Sequence, residues 1–146
     1  LQHCGKADAL IMAAAVSDFT VSTASPEKIK RKKGNLRLEL TATDDILLQV
    51  ASERKRSARP TIVVGFAAET SDLLKHAGEK MEAKDLDMIV ANDVASSESG
   101  FEVDQNKVTI LERNGERLDL PIMSKEGVAE AVIVRMTALL PKKGES

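Results

Sequence analysis

Asp18, Phe66, Lys28, Lys80 and Lys84 are the side chains whose types and spacing point most directly to chemistry. Asp18 stands just past an unbroken apolar run, Leu10, Ile11, Met12, Ala13, Ala14, Ala15 and Val16. A run with no polar residue to alternate with suits a parallel strand covered on both faces. Open α/β sheets bind ligands outside the carboxyl ends of such strands. Residues 26–33 then hold five bases, Lys28, Lys30, Arg31, Lys32 and Lys33, against one acid, Glu27. A carboxylate able to accept from ribose hydroxyls and a source of phosphate-binding charge thus lie close in sequence. Nucleotide chemistry is the first hypothesis. Taken alone, the basic run also reads as a solvated charge stretch. Against that, it is tied between two strand-like segments and does not hang on a terminus.

Lys80 and Lys84 are four apart and share a face if they lie on a helix. They also read as a surface stripe beside Glu79 and Glu82. Phe66 closes the segment TIVVGFA and offers either a flat wall for a base or ordinary core packing. Gly65 before it would let backbone come close. Asp18 also reads as a strand-end turn residue, and Asp44 and Asp45 as complements to a helix dipole. His3 and Cys4 are adjacent, but a zinc site needs three or four convergent ligands, so no metal site is expected. GxGxxG, GxxxxGK and GxSxG patterns are absent, which removes the commonest phosphate loops and the nucleophile elbow.

The elements that must position these groups follow from the pattern. Leu36, Leu38 and Leu40 alternate with Arg37, Glu39 and Thr41, a strand period. With residues 27–33 as its partner strand and Gly34-Asn35 as the turn, this predicts a lysine-rich flap hairpin. Thr43 is the expected N-cap of a helix over 44–57, with Ile46, Leu47, Val50 and Ala51 as its apolar stripe. Buried strands are expected over 61–67 and 86–91, with a helix over 71–84 between them. Asn114-Gly115 predicts a hairpin joining 107–112 to 116–120. Ser124 is the expected cap of a last helix striped by Val128, Val132, Met136, Leu139 and Leu140. Alternating strands and helices predict an α/β fold with a Rossmann-like, mostly parallel sheet, flanking helices and a C-terminal hairpin.

Composition narrows the classes. The chain has 146 residues, 42% hydrophobic and 30% charged, ordinary for one globular domain. Its 21 basic and 23 acidic residues leave a net charge of −2, so any anion site is local and no nucleic-acid partner is expected. Only Phe19, Phe66 and Phe101 are aromatic, too few for a single-strand stacking platform. No run is long enough to span a bilayer, so no membrane partner is expected. One cysteine forms no intrachain disulfide and suits a reducing, cytoplasmic setting.

Read in order, AAAVSDF, PEKIKRKKG, TDDIL, VVGFAAET, KMEAKDLDMIVANDV and GF-VDQNKVTIL resemble phosphopantothenate–cysteine ligase, the synthetase half of the bifunctional bacterial coenzyme A biosynthesis flavoprotein. The match runs over 7–140. The resemblance implies a Rossmann-like dimeric enzyme. The carboxylate of 4′-phosphopantothenate attacks the α-phosphate of CTP, giving acyl-cytidylate and pyrophosphate. The amine of cysteine then displaces CMP. Mg²⁺ accompanies the triphosphate. It further implies that Asp18 holds CTP through its ribose and that Met12, Ala13 and Ala14 approach the nucleotide by backbone. Lys28 would meet the phosphates and be the residue most tied to turnover. Asp44, Asp45, Ile46 and Leu47 would lie near the nucleotide, Phe66 would line the cytosine pocket, and Lys80 and Lys84 would complete the CTP contacts.

Two departures accompany it. The family has Pro-Asp-Ile where this chain has Asp44-Asp45-Ile46. Its opening Gly-Gly-Thr loop and Asn-x-Ser-Ser-Gly-Lys segment do not occur here, nor does the flavin-binding decarboxylase domain. Residues 1–141 are therefore expected to be part of a synthetase domain and 142–146 a polar tail, with no FMN bound and with inactivity as an isolated piece. Three rivals stay open: a dinucleotide-binding oxidoreductase module, a nucleic-acid binder using the lysines, and a module that only dimerises.

Overall fold

The computed structural model describes residues 1–30, 35–69, 72–93 and 105–141. Its centre is a five-stranded sheet in the order β1 (Ala9–Met12), β4 (Ile62–Glu69), β5 (Met88–Asp93), β7 (Val108–Glu112), β8 (Arg117–Asp119). β1, β4 and β5 run parallel, while β7 and β8 are antiparallel additions. Successive side chains of a strand point to opposite faces, and the core divides accordingly. Ile62, Val64, Met88, Val90, Val108 and Ile110 face Val128, Val132 and Met136 of α3 (Lys125–Leu139). Val63, Ala67, Ile89 and Ala91 face Leu47 and Val50 of α1 (Ile46–Ser57) and Ala77 of α2 (Leu73–Ala83). Helices on both faces explain why β4 and β5 read as continuous apolar runs. The expected α/β class, central parallel strands, flanking helices and C-terminal hairpin are all present. Ser124 caps α3 as expected, its Oγ accepting from Gly127 N at 3.2 Å.

Three expectations are corrected. The apolar run at 10–16 forms a strand only as far as Met12, and residues 9–12 are half-buried. Among the described strands, β1 pairs on one side only, with β4. Ala13, Ala14, Ala15 and Val16 leave the sheet and are exposed. The arm is a two-stranded ribbon, but its strands are β2 (Phe19–Val21) and β3 (Leu40–Ala42), paired antiparallel. Residues 27–30 are not strand, and Arg31, Lys32, Lys33 and Gly34 lie outside the described residues. Asp45, not Thr43, caps α1. Two short strands that periodicity did not announce, β6 (Gln105–Asn106) and β9 (Met123–Ser124), pair with each other. The tail 142–146 lies outside the described residues, as does residue 71 at the expected start of the second helix.

A polar clamp holds the amino ends of β4 and β5. Arg54 donates to Thr61 O at 2.6 Å, to Asp85 O at 3.0 Å and to Asp87 Oδ1 at 3.0 Å. Asp87 Oδ2 accepts from Val63 N at 2.8 Å, and Arg113 donates to Leu86 O and Asp85 Oδ1. The carboxyl ends of the same strands carry Phe66, Ala68 and Asn92, with Ala68 opposite Asn92.

Candidate functional site

The base of the arm brings the acids together. Thr43 N donates to Asp18 O at 2.9 Å and Thr43 Oγ1 to Ser17 O at 2.5 Å. The residues entering α1 are thereby zipped alongside those leaving β1. Asp18, Asp44 and Asp45 consequently line one cavity of about 240 Å³, together with Met12, Ile46, Leu47 and Phe66. Lys84, the residue capping the carboxyl end of α2, also lines it and places Nζ 2.9 Å from Asp45 Oδ2.

Asp45 has two tasks. Its Oδ1 accepts from Leu47 N at 3.0 Å and Leu48 N at 3.2 Å, the orphan amides of the first helical turn. Its other oxygen holds Lys84. Burial pushes the Asp45 carboxyl up, but the hydrogen bond from Lys84, those from the Leu48 and Leu47 amides, and the Lys84 charge together hold it below its ordinary 3.8. Two amide donors of α1 are thus taken by the chain's own carboxylate and are not offered to an incoming anion. Asp44 Oδ2 accepts from Gln49 Nε2 at 3.0 Å.

A larger cavity of about 620 Å³ adjoins the first and shares Ala14, Val16, Asp18 and Phe66 with it. Ala13 and Ala68 form part of its wall, and Lys80 and Lys125 supply its cations. Asn92 and Asn106 complete the polar side. The two cavities differ in charge. The smaller carries three carboxylates against Lys84, an environment for hydroxyl and amino donors. The larger carries two ammonium groups with Asp18 at the boundary, an environment that tolerates anions.

Phe66 is 41% exposed, so its ring is available as a wall between the two cavities. Gly65 also bears on the packing beneath it. A Cβ there would lie 2.5 Å from Leu86 Cδ1, so a larger residue would require the Leu86 side chain to shift. Lys28 is the one predicted site residue that lines neither cavity; it is exposed on the span between β2 and β3. Met12, Ala13, Ala14, Asp18, Asp44, Asp45, Ile46, Leu47, Phe66, Lys80 and Lys84 all line one cavity or both.

Sequence reasoning gave no role to Thr43 as the zip of the arm, nor to Asn92, Asn106 and Lys125. Asn92 carried one usable signal, its place at the carboxyl end of a buried strand. Asn106 and Lys125 reach the cavity through the pairing of β6 with β9, which no local pattern marks. Among the described residues no group of three or more His, Cys, Asp or Glu could hold a metal ion.

With that geometry in view, comparison with known proteins is informative. Residues 1–140 match the family model described as the DNA/pantothenate metabolism flavoprotein C-terminal domain. The chain is 44% identical over 138 residues to the coenzyme A biosynthesis bifunctional protein CoaBC of Bacillus subtilis (strain 168), covering 94% of this chain and 33% of that protein. It spans about a third of the length of the curated relatives it matches. The crystal structure of the C-terminal domain of a CoaBC protein superposes with a TM-score of 0.72 at 29% identity, covering 95% of this chain and 58% of that one. A Cab2 variant in complex with phosphopantothenate-cysteine shares the fold, with a TM-score of 0.59 at 22% identity, covering 86% of this chain and 43% of that one. The chain belongs to the DNA/pantothenate metabolism flavoprotein C-terminal domain family.

Proposed function

We propose that this chain supplies the nucleotide-binding part of a ligase of coenzyme A biosynthesis that uses CTP to join cysteine to 4′-phosphopantothenate through an acyl-cytidylate. One observation carries the reading. Every residue assigned to CTP by resemblance, except Lys28, lines one of two adjoining cavities. The charge division suits the ligand. Ribose hydroxyls donate to Asp18, the cytosine lies against Phe66, and the backbone at Met12, Ala13 and Ala14 passes close to the nucleotide. The phosphates extend toward Lys80 in the larger cavity, and Lys84, held by Asp45, borders the nucleotide from the smaller one. Fixed ammonium groups stabilise charge developing on the phosphates without reorganising.

Lys28 reaches the phosphates if the arm folds over the cavity, and it then carries the transition-state contact. Mg²⁺ brought by a triphosphate keeps phosphate oxygens and waters as its main ligands, so the reading assigns it no residues of this chain. No flavin is part of the proposed reaction; FMN belongs to the decarboxylase domain of bifunctional relatives. Among the described residues no helix is long and apolar enough to cross a membrane, and the reading places the chemistry in the cytoplasm.

A homodimer is part of the proposal. Phe19, Val21, Leu38 and Leu40 on and beside the arm are exposed, and a second copy of the chain would cover them. A second reading keeps the nucleotide site but leaves turnover to residues elsewhere in a longer protein. The position of Lys28 outside both cavities favours it.

Titration calorimetry with CTP tests the central claim. CTP binds the wild-type chain, and Phe66→Ala weakens binding by about 1–3 kcal/mol, the scale of base stacking on an aromatic ring. Absence of CTP binding, or an unchanged affinity in Phe66→Ala, sinks the reading.

A further inference from the structure

The smaller cavity holds a donor and an acceptor side by side, each with hydrogen-bonding capacity left over. Lys84 Nζ lies 2.9 Å from Asp45 Oδ2, and both residues line the cavity. Their side chains are 31% and 35% exposed, so a ligand entering the cavity reaches them. An ammonium group has three N–H donors, and a carboxylate has about four acceptor sites. Lys84 spends one donor on Asp45. Asp45 uses one site for Lys84 and two for the Leu47 and Leu48 amides. Among the described residues the pair therefore keeps N–H donors on Lys84 and an acceptor site on Asp45, adjacent to one another.

Charge decides which part of a nucleotide this pair addresses. Asp18, Asp44 and Asp45 line the smaller cavity against Lys84 alone, so a polyphosphate is repelled there. Lys80 and Lys125 stand in the larger cavity instead. A nucleobase is uncharged and carries acceptors beside donors along one edge. Phe66 walls both cavities, so a ring lying on it can turn that edge to the pair while the phosphates run into the larger cavity.

We propose that Lys84 and Asp45 together read the base edge of the nucleotide and select cytosine over uracil. Lys84 donates to ring N3, and Asp45 accepts from the exocyclic amine. Uracil reverses both positions, with an N–H at N3 and a carbonyl oxygen on the next carbon. Asp18, holding the ribose, fixes the sense in which the edge is presented. Uracil then sets its N–H against an ammonium and its oxygen against a carboxylate. A site built to hydrogen-bond one pattern rejects the analogue that leaves its groups unpaired. Asp45 is also a positioning residue: the α1 amides on Oδ1 fix its carboxylate, and Oδ2 anchors Lys84. The inference rests on the nucleotide reading above and assigns Lys84 to the base, not to the phosphates.

Calorimetric titration of the 146-residue chain with CTP and with UTP tests it, because the two ligands differ only in the base. The wild type is expected to bind CTP at least about tenfold more tightly than UTP, the least that two reversed hydrogen bonds should cost. The same ratio is measured in Lys84→Met and in Asp45→Ser, the latter keeping a helix cap. In each it is expected to fall to about threefold or less, and the double variant shows no further fall, because the two side chains act as one unit. Equal wild-type affinities for CTP and UTP overturn the inference, as does a ratio that survives in either single variant. Variants that weaken both ligands by the same factor also overturn it, since that is how a lysine serving the phosphates behaves. Failure of the wild-type chain to bind CTP refutes the parent reading instead, so the two failures are distinguishable.

Discussion

Asp45 shows how a single side chain can link local and tertiary structure. One of its oxygens completes the first turn of α1, and the other fixes Lys84 at 2.9 Å across the cavity. Replacing it with alanine removes both contacts and lowers stability by about 1 kcal/mol, the usual loss for an N-cap. Asp45→Asn keeps an oxygen for the cap and removes the charge. Because the folded carboxyl titrates below 3.8, the unfolded chain takes up its proton first as pH falls. The stabilisation is therefore complete above the unfolded value of about 3.9 and disappears as pH falls through the lower folded one. Urea unfolding should show wild type more stable than Asp45→Asn at neutral pH, with the gap shrinking as pH falls through the carboxylate range. A gap that persists in acid would show that charge is not its origin.

At the scale of elements, α1 runs from a carboxylate cap to a strained end. Ala58, its C-cap, has φ 55° and ψ 18°, the left-handed region, while its N–H donates to Arg54 O at 2.9 Å. An L-residue with a Cβ is disfavoured there by about 1–2 kcal/mol, and glycine is not. Ala58→Gly is expected to raise stability by about 0.5–1 kcal/mol after the entropy of glycine in the unfolded chain is subtracted. Chemical denaturation gives the sign directly, and a loss of stability would mean that the Ala58 methyl packs usefully. The arm shows the limits of reading elements from sequence. Alternation at Leu36, Leu38 and Leu40 was visible, but only Leu40 lies in the paired strand. Phe19–Val21 is a three-residue strand whose partner is closed by Thr43 at its base. No pattern of that length specifies a register, because register comes from the contacts that bury one face.

For the whole molecule, the arm raises the question of assembly. Phe19 and Leu38 are 59% and 61% exposed, a cost that a second copy would relieve. Light scattering should return the mass of two chains for the wild type and one chain for Phe19→Asp combined with Leu38→Lys. A wild-type monomer at high concentration would remove the dimer from the proposal. The far end of the sheet is unaffected in either case, because the Arg54–Asp87–Arg113 clamp ties β4, β5 and β7 independently of the arm.

The sequence by itself determined the α/β class, the strands around TIVVGFA and LDMIVA, the hairpin at Asn114-Gly115 and the cap at Ser124. Each depends on a signal within a few residues: apolar runs, turn chemistry, or a hydroxyl before a helix. It also marked Asp18, Phe66, Lys80 and Lys84, because strand ends and helix spacing are local facts. Only the tertiary structure decided that Asp18 shares a cavity with Asp45 and Lys84, that a Cβ at Gly65 would press on Leu86, and that Asn92, Asn106 and Lys125 line one cavity. Those meetings join segments far apart in the chain. They arise from sheet order and from the zip at Thr43, and neither is encoded at any one position.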